Sequence, residues 1–206
     1  DMLKEFIDNS LDWSSNNVTI TFDSSNFQII IKDDGVGMNK DTFQKFCELW
    51  SDNDFEGENN RVDGKFGIGV KKGCAVLSGL KSVYVRTIKD LQMITATIDY
   101  QSIIAENKYD NSVTYTVSDS TEPNGTTITI DTNSDIIDEF KNLVDNTSIK
   151  ENLLFDLTMT YNPRLLDNKK ITVNFVDESQ ELVSYPLKSI IFNEDEFIKK
   201  VIVLDL

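Results

Sequence analysis

Apolar and polar residues follow two kinds of period along the chain, and each kind predicts a different secondary structure. Over residues 2–13, apolar side chains recur every three or four positions and polar side chains fill the opposite side, as in an amphipathic helix. The same period predicts helices at 40–50, 69–79, 135–144 and 149–159. Apolar runs bounded by turn-forming residues predict strands, and these runs lie at 18–22, 27–32, 81–88, 91–99, 112–118, 126–131, 171–176, 182–186 and 198–204.

The order of these elements predicts an α+β fold, with helices on one face of a mixed, mostly antiparallel sheet: a two-layer α/β sandwich. The chain has 206 residues, a length typical of one domain. Residues 51–63 are polar and acidic without a period, and they predict a long loop. The hairpin at 171–186 and the last strand are expected at the margin of this domain or at the start of the next.

Composition excludes several classes of function. The chain has 35 acidic and 20 basic residues and a formal net charge of −15, which argues against unaided binding to a nucleic-acid backbone. Histidine is absent, so this segment contains no histidine-dependent triad, histidine metal site or phosphohistidine acceptor. Cys47 and Cys74 lie in apolar helical patterns and form no disulfide framework, which predicts a reducing intracellular compartment, cytoplasmic or nuclear. The sequence contains no run of about 18 apolar residues, so it predicts no membrane-spanning helix.

The first predicted helix carries two polar side chains suited to chemistry. Glu5 and Asn9 are four residues apart, so they stand on one face about a turn from each other. An amide oxygen and a carboxylate suit Mg²⁺, which keeps most of its waters and takes few protein ligands. In this interpretation Asn9 ligates the metal and Glu5 orients a water. The alternative is an ordinary solvated helix face.

Two acidic residues and two glycines follow the strand at 27–32. In the run Asp33-Asp34-Gly35-Val36-Gly37, glycines at alternate positions allow the backbone to approach a flat ligand closely. A carboxylate at this place is able to accept a hydrogen bond from an exocyclic amine. The alternative is a tight turn after a strand.

A glycine-rich loop opens the third predicted helix. Gly64-Lys65-Phe66-Gly67-Ile68-Gly69 would present free N–H groups and the positive end of a helix dipole to phosphates, and Lys71 and Lys72 would add charge. The loop is not a Walker A motif, because no Gly-Lys-Ser/Thr closes it. A fourth group, Gly125-Thr126-Thr127, starts a strand, and by itself it is an ordinary turn-to-strand junction.

In this order and spacing the four groups resemble the motifs of the GHKL ATPases, which include gyrase B, Hsp90, the histidine kinases and MutL. Residues 5–12 resemble the N-box of that family, and Asp33-x-Gly35-x-Gly37 resembles its adenine-binding motif. Gly64-x-x-Gly67-x-Gly69 resembles its lid-and-phosphate motif, and Gly125-Thr126 its late threonine motif. The stretch 66–71 is most similar to Hsp90-like and MORC-like members.

The resemblance implies a role for each matching residue. Glu5 stands where the family has its general base, and Asn9 stands where it has its Mg²⁺ ligand. Asp33 stands where a carboxylate receives the adenine amino group, with Thr126 or Thr127 assisting. The residues implied to shape the adenine pocket or to meet the phosphates are Gly35, Gly37, Met38, Gly64, Lys65, Phe66, Gly67, Ile68, Gly69, Val70 and Lys71.

The resemblance also implies a Bergerat-type fold for residues 1–190, a mobile ATP lid at 51–66, and a domain margin or following domain at 191–206. The expected function is Mg²⁺-dependent binding and hydrolysis of ATP, coupling nucleotide state to lid closure and to homodimerisation of a larger ATPase. The family takes a catalytic lysine or arginine from a following domain, so full activity is expected to need one. DNA and a protein client both stay open as partners bound through other domains.

Other functions also stay open. A sensor histidine kinase catalytic domain has the same fold and needs a phosphoacceptor histidine outside this segment. The acid Glu5 followed by Asp8-Asn9-Ser10 favours the hydrolytic branch instead. A module that binds nucleotide without turnover, and serves in interactions, is the second alternative. A plain α/β scaffold with coincidental glycines is the third.

Overall fold

A computed structural model describes residues 2–47, 68–105, 113–132 and 137–190. Within these ranges the chain forms six helices and eight strands. The helices are α1 (Met2–Asp12), α2 (Lys40–Cys47), α3 (Ile68–Leu77), α4 (Tyr100–Ala105), α5 (Ile137–Asp145) and α6 (Thr147–Leu166). The strands are β1 (Asn17–Asp23), β2 (Gln28–Asp33), β3 (Ser82–Lys89), β4 (Gln92–Asp99), β5 (Tyr115–Asp119), β6 (Gly125–Asp131), β7 (Lys170–Val176) and β8 (Leu182–Pro186).

The eight strands form one mixed sheet in the order β5-β4-β3-β6-β2-β1-β7-β8. β1 and β7 pair in parallel, and the other neighbouring strands pair antiparallel. The helices cover one face of this sheet, so the predicted two-layer α+β sandwich is confirmed. None of the helices in the described ranges has the length and apolar character needed to span a bilayer.

The core follows from the alternation of side chains across the pleated strands. Ile20, Ile31, Ile128 and Val85 are cross-strand neighbours in register on β1, β2, β6 and β3, and all four are buried. Phe6 of α1, with 1% of its surface exposed, belongs to the same core. The apolar side of α1 therefore lies over the central strands, and its polar residues are left at the margin of the core.

Most predicted elements are present, and two helices differ from the prediction. The short helix α4 was not predicted, because its six residues are too few to display a helical period. α6 is longer than the predicted 149–159: it continues through Pro163 to Leu166, since Tyr161 and Leu165 of its last turns are buried. The predicted residues 48–50, the loop at 51–63, the lid at 51–66 and the strand at 198–204 lie outside the described residues.

The predicted hairpin at 171–186 is present as β7 and β8. β7 lies beside β1 along its whole length, from the pair Asn17 and Lys170 to the pair Asp23 and Val176. The hairpin is therefore part of the same sheet as the first strands of the chain. After β8, Asn162 of α6 holds Ile190: its Nδ2 donates to the Ile190 carbonyl at 3.0 Å and its Oδ1 accepts from the Ile190 N–H at 2.7 Å.

Candidate functional site

A cavity opens between α1, α2 and α3 on one side and the central strands on the other. The space open to the centres of water molecules is about 100 Å³, several times the roughly 10–15 Å³ that one water needs. The cavity therefore has room for a ligand rather than for a single structural water. Its apolar walls are formed by Phe6, Trp13, Ile31, Met38, Phe46, Val70 and Ile128, and its polar lining by Asn9, Ser10, Asp33, Thr42, Lys45, Lys71 and Thr126.

Asp33, at the end of β2, is the carboxylate that lines this cavity. Its Oδ1 accepts hydrogen bonds from the N–H of Gly35 at 2.9 Å and the N–H of Thr126 at 3.3 Å. Its Oδ2 accepts one from the Ser10 hydroxyl at 3.2 Å. A carboxylate offers about four acceptor positions, so these three donors leave capacity for a ligand that donates.

Burial raises the pKa of Asp33 above its ordinary value, against the hydrogen bonds from Gly35, Ser10 and Thr126, which act to lower it. A charge that has lost water and is only partly compensated favours a donor from a ligand. The cavity therefore presents a carboxylate whose ionised form is stabilised when a hydrogen-bond donor enters.

Glycines allow the backbone segments around Asp33 to pack closely against one another. Gly37 lines the cavity in a left-handed conformation with φ +65°, and a Cβ there would collide with the Ile88 carbonyl. Gly125, with φ +154°, lies against the backbone carbonyl of Asp33, where a Cβ would also collide. Gly35 is not part of the lining, and a Cβ on it would be 2.8 Å from the Trp13 carbonyl oxygen. Gly37 thus shapes the cavity directly, whereas Gly35 lies outside the lining and allows the loop to pack closely against the Trp13 backbone.

Thr87 on β3 joins the pieces of this wall and was missed by the sequence predictions. Its hydroxyl accepts from the Met38 N–H at 2.9 Å and lies 3.1 Å from the Thr126 hydroxyl and 3.3 Å from the Gly125 carbonyl oxygen. The residue is fully buried, with 0% of its surface exposed. One hydroxyl therefore connects the loop after β2 to the start of β6.

Thr126 and Thr127 point to opposite faces of the sheet, as successive strand residues do. Thr126 lines the cavity and its N–H reaches Asp33. Thr127 pairs in register with Lys32 and Arg86 and is not part of the lining. Of the two threonines that the sequence left as alternatives, the structure brings Thr126 to the carboxylate.

α1 brings three residues to the cavity, because its helical period returns the same face each turn, and Trp13 directly after the helix adds a fourth. Asn9 lines the cavity with an exposed side chain, and Ser10 is buried beside it, at 4% exposure. Phe6 and Trp13 complete this face. Ser10 was not predicted, although it follows Asn9 directly in the N-box stretch, and its polar side chain in a helix offered the only signal.

Glu5 lies one turn before Asn9 and is exposed. It is not part of the cavity lining, and its carboxylate lies against Gly69 in the first turn of α3. The two predicted functional residues of α1 are thus found on the same side of the helix, with Asn9 at the cavity and Glu5 beyond it, toward α3.

The glycine-rich stretch is described only in part. Gly64, Lys65, Phe66 and Gly67 lie outside the described residues, and Ile68 is described as the first residue of α3. Val70 and Lys71 line the cavity, and both are buried. The amino group of Lys71 donates to the Lys45 carbonyl at 3.0 Å, which ties α3 to α2.

The comparisons identify the class of protein. The chain belongs to the family described as histidine kinase-, DNA gyrase B- and HSP90-like ATPases, whose family model matches residues 1–135. That match includes α1, the loop after β2, the start of α3 and β6, the elements that build the cavity. Membership in this family supports binding of ATP.

A likeness among solved structures agrees with the fold. The N-terminal domain of a DNA repair protein superposes with a TM-score of 0.57 at 16% sequence identity, over 89% of this chain and 50% of that one. This chain thus spans half the length of that neighbour. With 444 matching chains of solved structures, the fold is shared widely, and this one likeness does not single out DNA repair. No curated protein matches the sequence.

Proposed function

We propose that this chain binds ATP with Mg²⁺ in the cavity beneath α1 and hydrolyses it as a module of a larger ATPase. The observation that carries the proposal is Asp33: a half-buried carboxylate in the cavity wall, held by three donors of the chain, with acceptor capacity left for a ligand. Family membership supports ATP as that ligand.

Adenine has the chemistry that this wall would recognise. Its exocyclic amino group donates to Asp33, and the adjacent ring nitrogen accepts from the Thr126 hydroxyl, directly or through a water. Met38 and Trp13 offer apolar surface to the faces of the base. Guanine carries a carbonyl oxygen in place of that amino group, so it would set an acceptor against the carboxylate. We therefore expect ATP to bind in preference to GTP.

The triphosphate would extend from the base toward the first turn of α3, where free backbone N–H groups and the helix dipole favour anions. Gly69 is the described glycine of this turn, and the preceding residues Gly64, Lys65, Phe66, Gly67 and Ile68 are proposed to share the phosphate contacts. Lys71 and Lys45 supply positive charge in the cavity lining. The pattern at 66–71 supports placing the chain near the Hsp90-like and MORC-like members.

A magnesium ion fits the donor set of this site. Asn9 is exposed and lines the cavity, its amide oxygen is a suitable ligand, and Mg²⁺ is commonly held by one or two protein ligands together with waters and substrate phosphates. No cluster of three or more acidic, histidine or cysteine side chains that would hold a metal occurs among the described residues, so one protein ligand plus phosphates is the arrangement the site supports. When bound, Mg²⁺ neutralises charge on the phosphates.

Glu5 is proposed as the general base for hydrolysis. Its carboxylate would take a proton from a water whose oxygen forms a bond to the γ-phosphorus, while the bond from that phosphorus to the bridging oxygen of ADP breaks. Its position beyond Asn9 and beside the first turn of α3 supports a role at the proposed phosphate end of the site rather than at the base. Glu5 is therefore expected to serve turnover and to contribute little to affinity.

The family resemblance is the basis for proposing a lid, a homodimer, the bounds of the domain and its partners. Residues 51–66 would act as a lid that closes over the γ-phosphate, and closure would accompany homodimerisation in the full-length protein. The domain would extend over residues 1–190, which the pairing of β7 with β1 supports, with 191–206 at its margin or in a following domain. DNA or a protein client would bind through other domains, inside the cell.

Calorimetric titration of the purified chain with ATP, ADP and GTP, each with Mg²⁺ and with EDTA, tests the proposal. We expect saturable binding of ATP and ADP, weaker binding of GTP, and stronger binding of ATP when Mg²⁺ is present. Equal affinity for GTP and ATP would contradict base recognition by Asp33. No binding of either nucleotide by the folded chain would contradict the proposed function as a whole.

A further inference from the structure

α3 approaches α1 through two glycines one turn apart. A Cβ added at Gly73 would lie 2.8 Å from the Phe6 ring, and a Cβ added at Gly69 would overlap the Glu5 carboxylate, lying 2.8 Å from its carboxyl carbon. Non-bonded carbon atoms sit best at about 3.5–4.0 Å. Neither position therefore has room for a methyl group while its neighbour stays in place.

The two positions differ in what would have to move. Phe6 is buried in the core, at 1% exposure. A methyl group at position 73 would therefore press on a ring that the surrounding core holds in place, which destabilises the fold. Glu5 is exposed, and the obstacle at position 69 is the far end of its flexible side chain. Gly69→Ala would therefore leave the fold intact and displace one functional group, the carboxylate.

We infer that Gly69 is a positioning residue for Glu5: its missing side chain leaves the space in which the carboxylate sits, beside the first turn of α3. This inference rests on the proposed role of Glu5 as the general base. The displacement needed is at least about 1 Å, because the carboxyl carbon is 2.8 Å from the added Cβ, short of ordinary carbon contact, and a carboxylate oxygen lies closer still. A misplacement of that size is able to cost about 10²-fold in rate. The backbone N–H at position 69 is the same in alanine as in glycine, so contacts of that N–H with phosphate are kept.

A double-mutant cycle in the full-length protein tests the inference, using wild type, Gly69→Ala, Glu5→Gln and the double variant. We expect Gly69→Ala to lower phosphate release about 10²-fold with ATP affinity within a few-fold of wild type. We expect the double variant to release phosphate no more slowly than Glu5→Gln alone, because no base remains to be misplaced. Equal losses in both backgrounds, or no loss in Gly69→Ala, would overturn the inference.

The same cycle separates the inference from the proposed function. Full turnover in Glu5→Gln contradicts the base assignment and this inference together, whereas loss in Glu5→Gln with none in Gly69→Ala contradicts the inference alone.

A thermal-unfolding cycle tests the contact without turnover. Replacing a helical glycine by alanine raises helix propensity, so Gly69→Ala should raise the Tm more in a Glu5→Ala background than beside Glu5. Val76→Ala, at an α3 position with 45% exposure, is the control and should shift the Tm equally in both backgrounds. Equal Tm shifts for Gly69→Ala in both backgrounds would overturn the proposed position of the Glu5 carboxylate beside Gly69.

Discussion

Asp33→Asn removes one charge from the cavity wall and keeps almost every atom in place. The amide oxygen still accepts from the N–H groups of Gly35 and Thr126, as Oδ1 does now. The amide nitrogen replaces Oδ2 and donates to Ser10, whose hydroxyl now donates to Asp33 and is able to turn and accept instead. We therefore expect the variant to fold.

We expect Asp33→Asn to weaken ATP binding more than it weakens folding. The adenine amino group would meet an amide that donates, so a charge-assisted hydrogen bond is lost and two donors face each other. We expect a loss of about 2–4 kcal/mol, which is roughly 30- to 1000-fold in ATP affinity. Calorimetric titration with ATP and Mg²⁺ measures it, with circular dichroism and thermal unfolding as the check on the fold.

Asp34→Asn is the matched control. Asp34 is the next residue, its Oδ1 accepts from the N–H groups of Asn16 and Asn17 at 2.7 and 2.8 Å, and it is not part of the cavity lining. We expect this variant to keep its ATP affinity within a few-fold. Unchanged affinity in folded Asp33→Asn, or equal losses in both variants, would refute the assignment of Asp33 as the adenine acceptor.

The pH dependence of stability gives an independent check on Asp33. Burial raises its pKa in the folded chain above the ordinary value of 3.8, so the folded state holds this proton more tightly than the unfolded state does. The contribution of Asp33 to the free energy of unfolding is therefore most favourable below the unfolded pKa and falls as the pH rises through the folded pKa. Relative to wild type, Asp33→Asn should gain stability across that window, measured by urea unfolding of ligand-free protein. A stability difference that stays constant with pH would contradict the raised pKa.

Two further substitutions test the metal and the wall. Asn9→Ala should weaken ATP binding with Mg²⁺ and leave binding with EDTA nearly unchanged, because the amide oxygen is proposed to bind the metal; equal calorimetric losses in both conditions would make Asn9 structural. Thr87→Val leaves the Met38 N–H without its acceptor and should weaken ATP binding about 10-fold, within the cost of a buried unsatisfied donor. Thr87→Ser should restore the affinity in the same titration, and failure of this rescue would show that the methyl group, not the hydroxyl, matters.

The local parts of this fold were predictable because local periods specify them. α1 was predicted from the helical spacing of its apolar residues, and the same period places Glu5 and Asn9 on one side of it. Asp33 was marked by Gly35 and Gly37 after it, which by themselves also fit a tight turn, and the order and spacing of the other three groups favoured a ligand site. Three of the four groups that the resemblance joined lie wholly within the described residues, and they are found on the elements expected for them: the first helix, the end of β2 and the start of β6.

The long-range parts were not predictable from such periods. β7 lies beside β1 although they are about 150 residues apart in sequence, and no local pattern specifies that pairing. Thr87 continues the alternation of Val83 and Val85 in β3, so its hydroxyl was hidden in a pattern typical of a core strand. Its role depends on Met38 and Thr126, which only the folded sheet brings to it.

The proposed hydrolysis of ATP with Glu5 as the base is tested by one paired measurement on Glu5→Gln in the full-length protein. ATP affinity is determined by titration, and phosphate release is followed under single-turnover conditions with saturating Mg²⁺. We expect an affinity within a few-fold of wild type and a rate lower by about 10²–10⁴-fold, the usual contribution of a general base. Phosphate release at the wild-type rate, or affinity and rate lost together, would contradict it.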